Sequence, residues 1–263
     1  RRRRAGAMRG FFVLLFVVLG VQSMAEPLFY SSVTSNDIDY ITKRDPSAYG
    51  CKTYIGTDLK EMPDGQGGPL MRDGTHVFEL HFKDGVEMQV WVSAAVGSER
   101  SAAKQVVKIQ QPLGKLPTMM RREIGHVVIH QGDRGAFAED QGHFFVLHTN
   151  NIAKRISTHD LEETVFHEAM HASVQSKLLK SSKWRSAVRK DKGHVTEYSQ
   201  TDAQEDFAET GLMIYTYLRD PDRLPANVRS AMERTIPNRI AFWRSRFPET
   251  GKEFFRVASY GEC

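Results

Sequence analysis

The stretch "DLEETVFHEAMHASVQSKLL" (Asp160–Leu179) decides how this chain is read. Leu161, Val165, Ala169, Ala172 and the Leu178/Leu179 pair recur at helical spacing, which predicts one helix running through Leu179. Asp160 with Glu163 has the pattern of a capping box at its start. His167 and His171 stand four residues apart, so a helix stacks their imidazoles on one face, one turn apart. Glu168 lies about 100° round the helix from His167, where it reaches a water beside the histidines without ligating an ion itself. Two imidazoles and an adjacent carboxylate in the pattern H-E-x-x-H are the parts of a zinc site with its general base. A solvated His pair on a surface helix would give the same letters. The decision rests on a third ligand elsewhere in the chain.

A catalytic zinc site takes three protein ligands and keeps one position open for water. The segment "DAQEDFAETGLMIYTYLRD" (Asp202–Asp220) predicts a second helix over Asp202–Leu218, with Glu205 and Glu209 one turn apart. Like charges at that spacing repel, so the pair does not serve helix stability; a cation with imidazole ligands would relieve it. Glu205 is the predicted third ligand. Glu209 is predicted to accept a hydrogen bond from a ligand histidine, as metal-binding imidazoles usually require. His194, in the loop "KGHVTEYSQ" (Lys192–Gln200), is the rival third ligand. It ranks below Glu205 because a loop side chain needs ordering that a helix supplies directly.

In order and spacing, His167-Glu168-Ala169-Met170-His171, Tyr198, and Glu205-Asp206-Phe207-Ala208-Glu209 resemble the metallopeptidase domain of the anthrax lethal factor-like peptidases. The resemblance covers about residues 120–220 and leaves the N-terminal hundred residues without a counterpart. It implies a zincin-like fold, with the first Glu of an E-x-F-A-E helix as third zinc ligand and a tyrosine seven residues before it assisting the reaction. The matching positions here are Glu205 and Tyr198. Read with the residues themselves, this gives a zinc-dependent endopeptidase. On that reading Zn2+ would be held by His167, His171 and Glu205, Glu168 would be the general base toward a zinc-activated water, and Tyr198 would donate to the developing oxyanion. Two other readings use the same letters: a secreted zinc amidase acting on cell-wall peptides, and a non-catalytic zincin-like binding module.

Upstream, "THVFELHF" and "VEMQVWVS" flank "KDG" and predict a β-hairpin, Thr75–Phe82 with Val86–Ser93. A helix is predicted over Ser98–Gln111, ended by Pro112 and Gly114. Strands follow at Val127–His130 and His143–His148. The second of these is expected to line the cleft, with substrate adding along its edge and with His143 and His148 at the surface. Short helices are predicted near Trp184–Lys190 and as a pair over Asn227–Phe247. Strands first and helices after predict an α+β fold: a small mixed or antiparallel sheet, then the active-site helix and C-terminal helices. Residues 26–263 are read as a single catalytic domain. Residues 26–74 form a loop-rich extension within it, a candidate pro-region, with "EMPDGQGG" (Glu61–Gly68) as a turn cluster.

The 263 residues carry a formal charge of +4, but Arg1–Arg4 and Arg9 precede the apolar run "FFVLLFVVLGV" (Phe11–Val21). That order reads as a signal peptide over residues 1–25, and hence a secreted or periplasmic protein. Without those five arginines, 31 basic side chains face 32 acidic ones. The expected partners are therefore a protein or peptide substrate, not nucleic acid, with no stable membrane association after cleavage and a monomeric state. Cys51 and Cys263, the only cysteines, are expected to pair in such a compartment.

Overall fold

The computed structural model describes residues 26–63, 65, 68–139 and 143–247. The expected signal peptide and the Cys263 half of the expected disulfide lie outside the described residues, among which there is no free cysteine. Alternation builds the first strands. In β3 (Glu87–Ser93), Met88, Val90 and Val92 are buried on one face, while Gln89 and Trp91 stand on the other. β2 (Leu70–Phe82) pairs antiparallel with it, Thr75 opposite Ser93 through His81 opposite Glu87. Gly85, at φ +80°, closes the connecting loop and donates its N–H to the Phe82 carbonyl at 2.9 Å.

A 15-residue strand, β1 (Tyr49–Pro63), pairs antiparallel with β2 and corrects the reading of residues 26–74 as loop-rich. The register slips between Tyr49 and Cys51 and again between Tyr54 and Gly56. Each slip shifts the apolar set to the other face, so the period-two pattern never runs long enough to be read. Of the expected turn cluster Glu61–Gly68, Glu61–Pro63 belong to β1 instead, while the Gly68 N–H bonds the Gly65 carbonyl at 2.8 Å.

The chain then crosses over through α1 (Glu99–Lys115) and the single turn α2 (Thr118–Arg121). It returns as β4 (His126–His130), parallel to β3. β5 (Phe137–Glu139) and β6 (Phe144–His148) follow, β6 parallel to β4 and β5 antiparallel to β6. The strand order is β1-β2-β3-β4-β6-β5, which puts β5 at the edge. The remaining helices are α3 (Thr149–Ser157), α4 (Leu161–Ala172), α5 (Gln175–Leu178), α6 (Ser182–Lys190), α7 (Ala203–Arg219), α8 (Ala226–Thr235) and α9 (Pro237–Arg244). The architecture is α+β, with a six-stranded mixed sheet and nine α-helices among the described residues. None of these helices is long and apolar enough to cross a membrane.

One main apolar core joins the sheet to the helices. α1 packs on β1, β2, β3 and α4, and α4 lies against β5, β6 and α7. A smaller cluster of Met62, Val128, Phe137, Phe144 and Val146 lies apart from it, with Trp91 packed against it. Several local expectations fail because packing outweighs propensity. α1 runs past Pro112 and Gly114 to Lys115. Gly114 is needed there for closeness, since a Cβ would meet the Tyr49 N at 2.6 Å, and its carbonyl accepts the Ala48 N–H at 2.8 Å. α4 stops at Ala172, and a break at Ser173 and Val174 separates it from α5. No capping box forms: Asp160 instead accepts from Thr158 Oγ1 (2.9 Å) and Arg155 Nη1 (3.1 Å). β5 and α3 were not anticipated.

Every residue of α4 is buried, so the helix is interior and not a striped surface helix. Glu163 therefore sits 1% exposed. Its Oε1 accepts the Ile41 N–H at 2.9 Å, and its Oε2 has no hydrogen-bond partner. Burial is the main cause raising its pKa from 4.5 to about 8, partly opposed by the Ile41 bond. Unfolded, the carboxyl loses its proton near 4.5; folded, it keeps it to about 8. Its contribution to stability is thus fully present below the lower value and is lost as pH rises through the upper one, by at most about 1.4 kcal/mol per unit. Glu163→Gln is expected to flatten this slope. Thermal unfolding from about pH 5 to about pH 8 should lower the parent Tm more than the variant's, and parallel curves would refute the assignment.

Candidate metal centre

α4 and α7 carry the predicted ligands and pack directly against each other. Gly211 on α7 faces Met170 on α4, and a Cβ there would overlap the Met170 side chain, so the helices approach closely at this crossing. Phe207, Ala208 and Leu212 are fully buried in the core, which leaves Glu205 and Glu209 on the face toward α4. The start of α7 is fixed by Asp202, whose carboxylate accepts from Gln204 N (2.7 Å) and Glu205 N (2.9 Å). One turn in, Asp206 is held by Arg239, which also binds Asp191.

His167 Nε2 lies 3.1 Å from His171 Nε2 and 3.1 Å from Glu205 Oε2, and His171 Nε2 lies 3.6 Å from the same oxygen. Zinc bonds of about 2.0–2.1 Å in a tetrahedron set neighbouring donors about 3.4 Å apart. The three distances straddle that edge, so the donor set fits one ion with a fourth position left over. His171 Nδ1 meets Gln175 Oε1 at 2.6 Å. With the amide oxygen as acceptor, Nδ1 carries the proton and the Nε2 lone pair points at the other two donors. Glu209 Oε1 stands 3.5 Å from His167 Nδ1, beside the nitrogen it was predicted to serve but longer than a good hydrogen bond. His194 turns away, to Asp206 Oδ1 at 3.2 Å, so the rival third ligand is not at the site.

The electrostatics match the geometry. Burial works against a charge on His167, but the hydrogen bond with Glu205 and the fields of Glu168, Glu209 and Glu205 outweigh it and raise its pKa to about 9. Burial likewise disfavours the Glu205 carboxylate, yet hydrogen bonds with His167 and His171 hold it far below the usual carboxylate range. Three carboxylates around two imidazoles are a surplus of negative charge that a proton or a metal cation balances. Glu168, 8% exposed, is pushed up chiefly by burial, against the pull of His167 and His171. Tyr198 begins a short 3-10 turn, Tyr198–Gln200, with its ring 6.4 Å from that of His167. Burial and the neighbouring Glu205, Glu168 and Glu209 raise its pKa, which keeps the phenol protonated.

A cleft of about 170 Å³ opens over these groups, walled on one side by Ala136–Glu139 and on the other by Gln175, Tyr198 and Gln204. The strand at the cleft is therefore β5, not β6 as expected: β6 is an interior strand paired on both sides, and of these two strands β5 is the one at the sheet's edge. His148, at the end of β6, is 1% exposed and not a surface residue. His143 is half-buried, with Nδ1 3.2 Å from the Ala172 carbonyl at the end of α4. Gln175 was missed, although it continues the 167/171 spacing by one more turn. So was the segment around Ser31, which carries no such periodic signal. The chain matches no protein-family model, and comparison with curated proteins and with solved structures likewise gave no match.

Gln175→Leu is expected to weaken zinc binding by about 10- to 100-fold while the protein stays folded, as read by competition with a chromophoric chelator. Unchanged affinity would show that His171 is oriented without it.

Proposed function

We propose that this protein is a zinc-dependent endopeptidase with a zincin-like fold. The observation that carries the reading is the convergence of His167 Nε2, His171 Nε2 and Glu205 Oε2 at the spacing of one tetrahedral ion, with Glu168 on the same helix and in the same cleft. When bound, zinc supplies Lewis acidity and brings the pKa of a water toward 7. The remaining work falls to the chain. Glu168 takes a proton from the attacking water and passes it to the leaving amine. Burial raises its pKa, which makes it a better proton acceptor than an exposed carboxylate. Tyr198, protonated and at the cleft wall, donates its hydroxyl to the oxyanion that forms at the substrate carbonyl.

β5 supplies the substrate's track. Its outer edge offers main-chain N–H and C=O groups to an extended peptide, which fits recognition by strand addition with little dependence on side chains. The reading carries with it the secreted or periplasmic setting expected from residues 1–25.

The test is zinc content and hydrolysis of denatured protein, for the parent, Glu205→Ala and Glu168→Gln. The parent should hold about one zinc, much weakened in Glu205→Ala. Glu168→Gln should keep its zinc and lose on the order of 10²–10⁴-fold in rate. A parent that takes up no zinc, or a Glu168→Gln variant as fast as the parent, would overturn the proposal. Zinc binding with hydrolysis of peptidoglycan peptides alone would move the substrate class to cell-wall amides.

A further inference from the structure

The N-terminal segment Leu28–Thr34 lies against the metal centre. Its backbone runs parallel to the residues that lead into Tyr198. Leu28 N–H binds the Val195 carbonyl (3.0 Å), Glu197 N–H the Phe29 carbonyl (3.0 Å), and Tyr198 N–H the Tyr30 carbonyl (2.8 Å). Beyond Tyr30 the segment turns inward. Ser31 Oγ donates to Glu209 Oε1 at 3.0 Å, and Ser32 N–H donates to Glu209 Oε2 at 2.6 Å. Asn36 Nδ2 clasps the turn from outside, bonding the Ser31 and Ser32 carbonyls at 2.9 and 3.1 Å. Tyr30, Ser31, Val33 and Thr34 then line the second lobe of the cleft, beside His167, Glu168 and Tyr198.

Glu209 is fully buried, and a buried carboxylate keeps its place only where donors meet its oxygens. Among the described residues, the hydrogen bonds to it come from Ser31 and Ser32. The oxygen that Ser31 holds is also the one 3.5 Å from His167 Nδ1. That nitrogen is buried and has no hydrogen-bond partner in the described residues. The chain of contact therefore runs from strap to Glu209 to the ring of a metal ligand, while a parallel branch runs from strap to the backbone of Tyr198.

We propose that Ser31 and Ser32, on this strap, are positioning residues for the metal centre: they fix the Glu209 carboxylate, which in turn fixes the orientation of His167. The inference rests on the zinc reading above. It argues against residues 26–74 as a removable pro-region, since activation by removing that stretch would take the strap away. A chain beginning at Glu26, one residue before Pro27, retains all of it.

The test compares the protein with Ser31→Ala, Ser31→Thr, Glu209→Gln and the Ser31→Ala/Glu209→Gln pair. It reads zinc affinity by chelator competition, and the rise in Tm on adding zinc relative to each variant's own metal-free form. Near-UV circular dichroism of the metal-free forms checks the fold. Ser31→Ala should bind zinc about 10- to 100-fold more weakly, Ser31→Thr should restore binding through its hydroxyl, and Ser31→Ala should add little in the Glu209→Gln background. Equal zinc affinity and equal Tm rise in the parent and Ser31→Ala would overturn the strap's role while leaving the zinc reading intact. A parent with no zinc-induced rise would overturn both. Should Ser31→Ala lose its fold, the Glu209→Gln variant decides: zinc affinity equal to the parent's there would overturn the proposal.

Discussion

The structure is organised around a local excess of negative charge. Glu168, Glu205 and Glu209 are gathered with two imidazoles in a nearly buried pocket, where carboxylates are costly unless hydrogen bonds or cations meet them. Each is met differently. Glu205 faces the two Nε2 atoms, Glu209 is held by Ser31 and Ser32, and Glu168 turns to the cleft. The arrangement needs two helices held close, and the packing supplies this: α4 is buried on every side, and Met170 beds against Gly211 of α7. The entry of α7 is fixed by the Asp202 cap and by the buried Asp191–Arg239–Asp206 network, so Glu205 has little freedom to withdraw.

The sheet serves the site mainly through its edge. The parallel run β3-β4-β6 needs crossovers, and α1 provides the first of them while forming a bed for α4. β5 folds back antiparallel to β6 and, among the described residues, ends the sheet beside α4, in the cleft that the histidines share. An exposed edge is ordinarily a hazard for aggregation. Here it is three residues long and lies in a cleft, so it offers little edge for a second sheet.

Much of the site was legible because helical spacing is local information. His167, Glu168 and His171 share one helix, as do Glu205 and Glu209, and the relation within each set follows from 3.6 residues per turn. The hairpin β2–β3 was legible for the same reason, through period-two alternation and the Gly85 turn. The unread parts were those where neighbours overrule the local pattern. The two register slips hid β1, three residues were too few to announce β5, and close contact with Tyr49 carried α1 through Gly114.

The sequence by itself determined the chemistry on offer: two imidazoles, a carboxyl group beside them, an acidic pair on a second helix, and an α+β order of elements. Tertiary structure alone decided which groups meet. It chose Glu205 over His194, gave His171 its partner in Gln175, set β5 and not β6 at the cleft, and brought Ser31 and Ser32 against Glu209 from 178 and 177 residues away. The reason is that periodicity fixes directions along one element. Distances between elements depend on how buried surfaces, close glycine contacts and paired charges pack together across the whole chain.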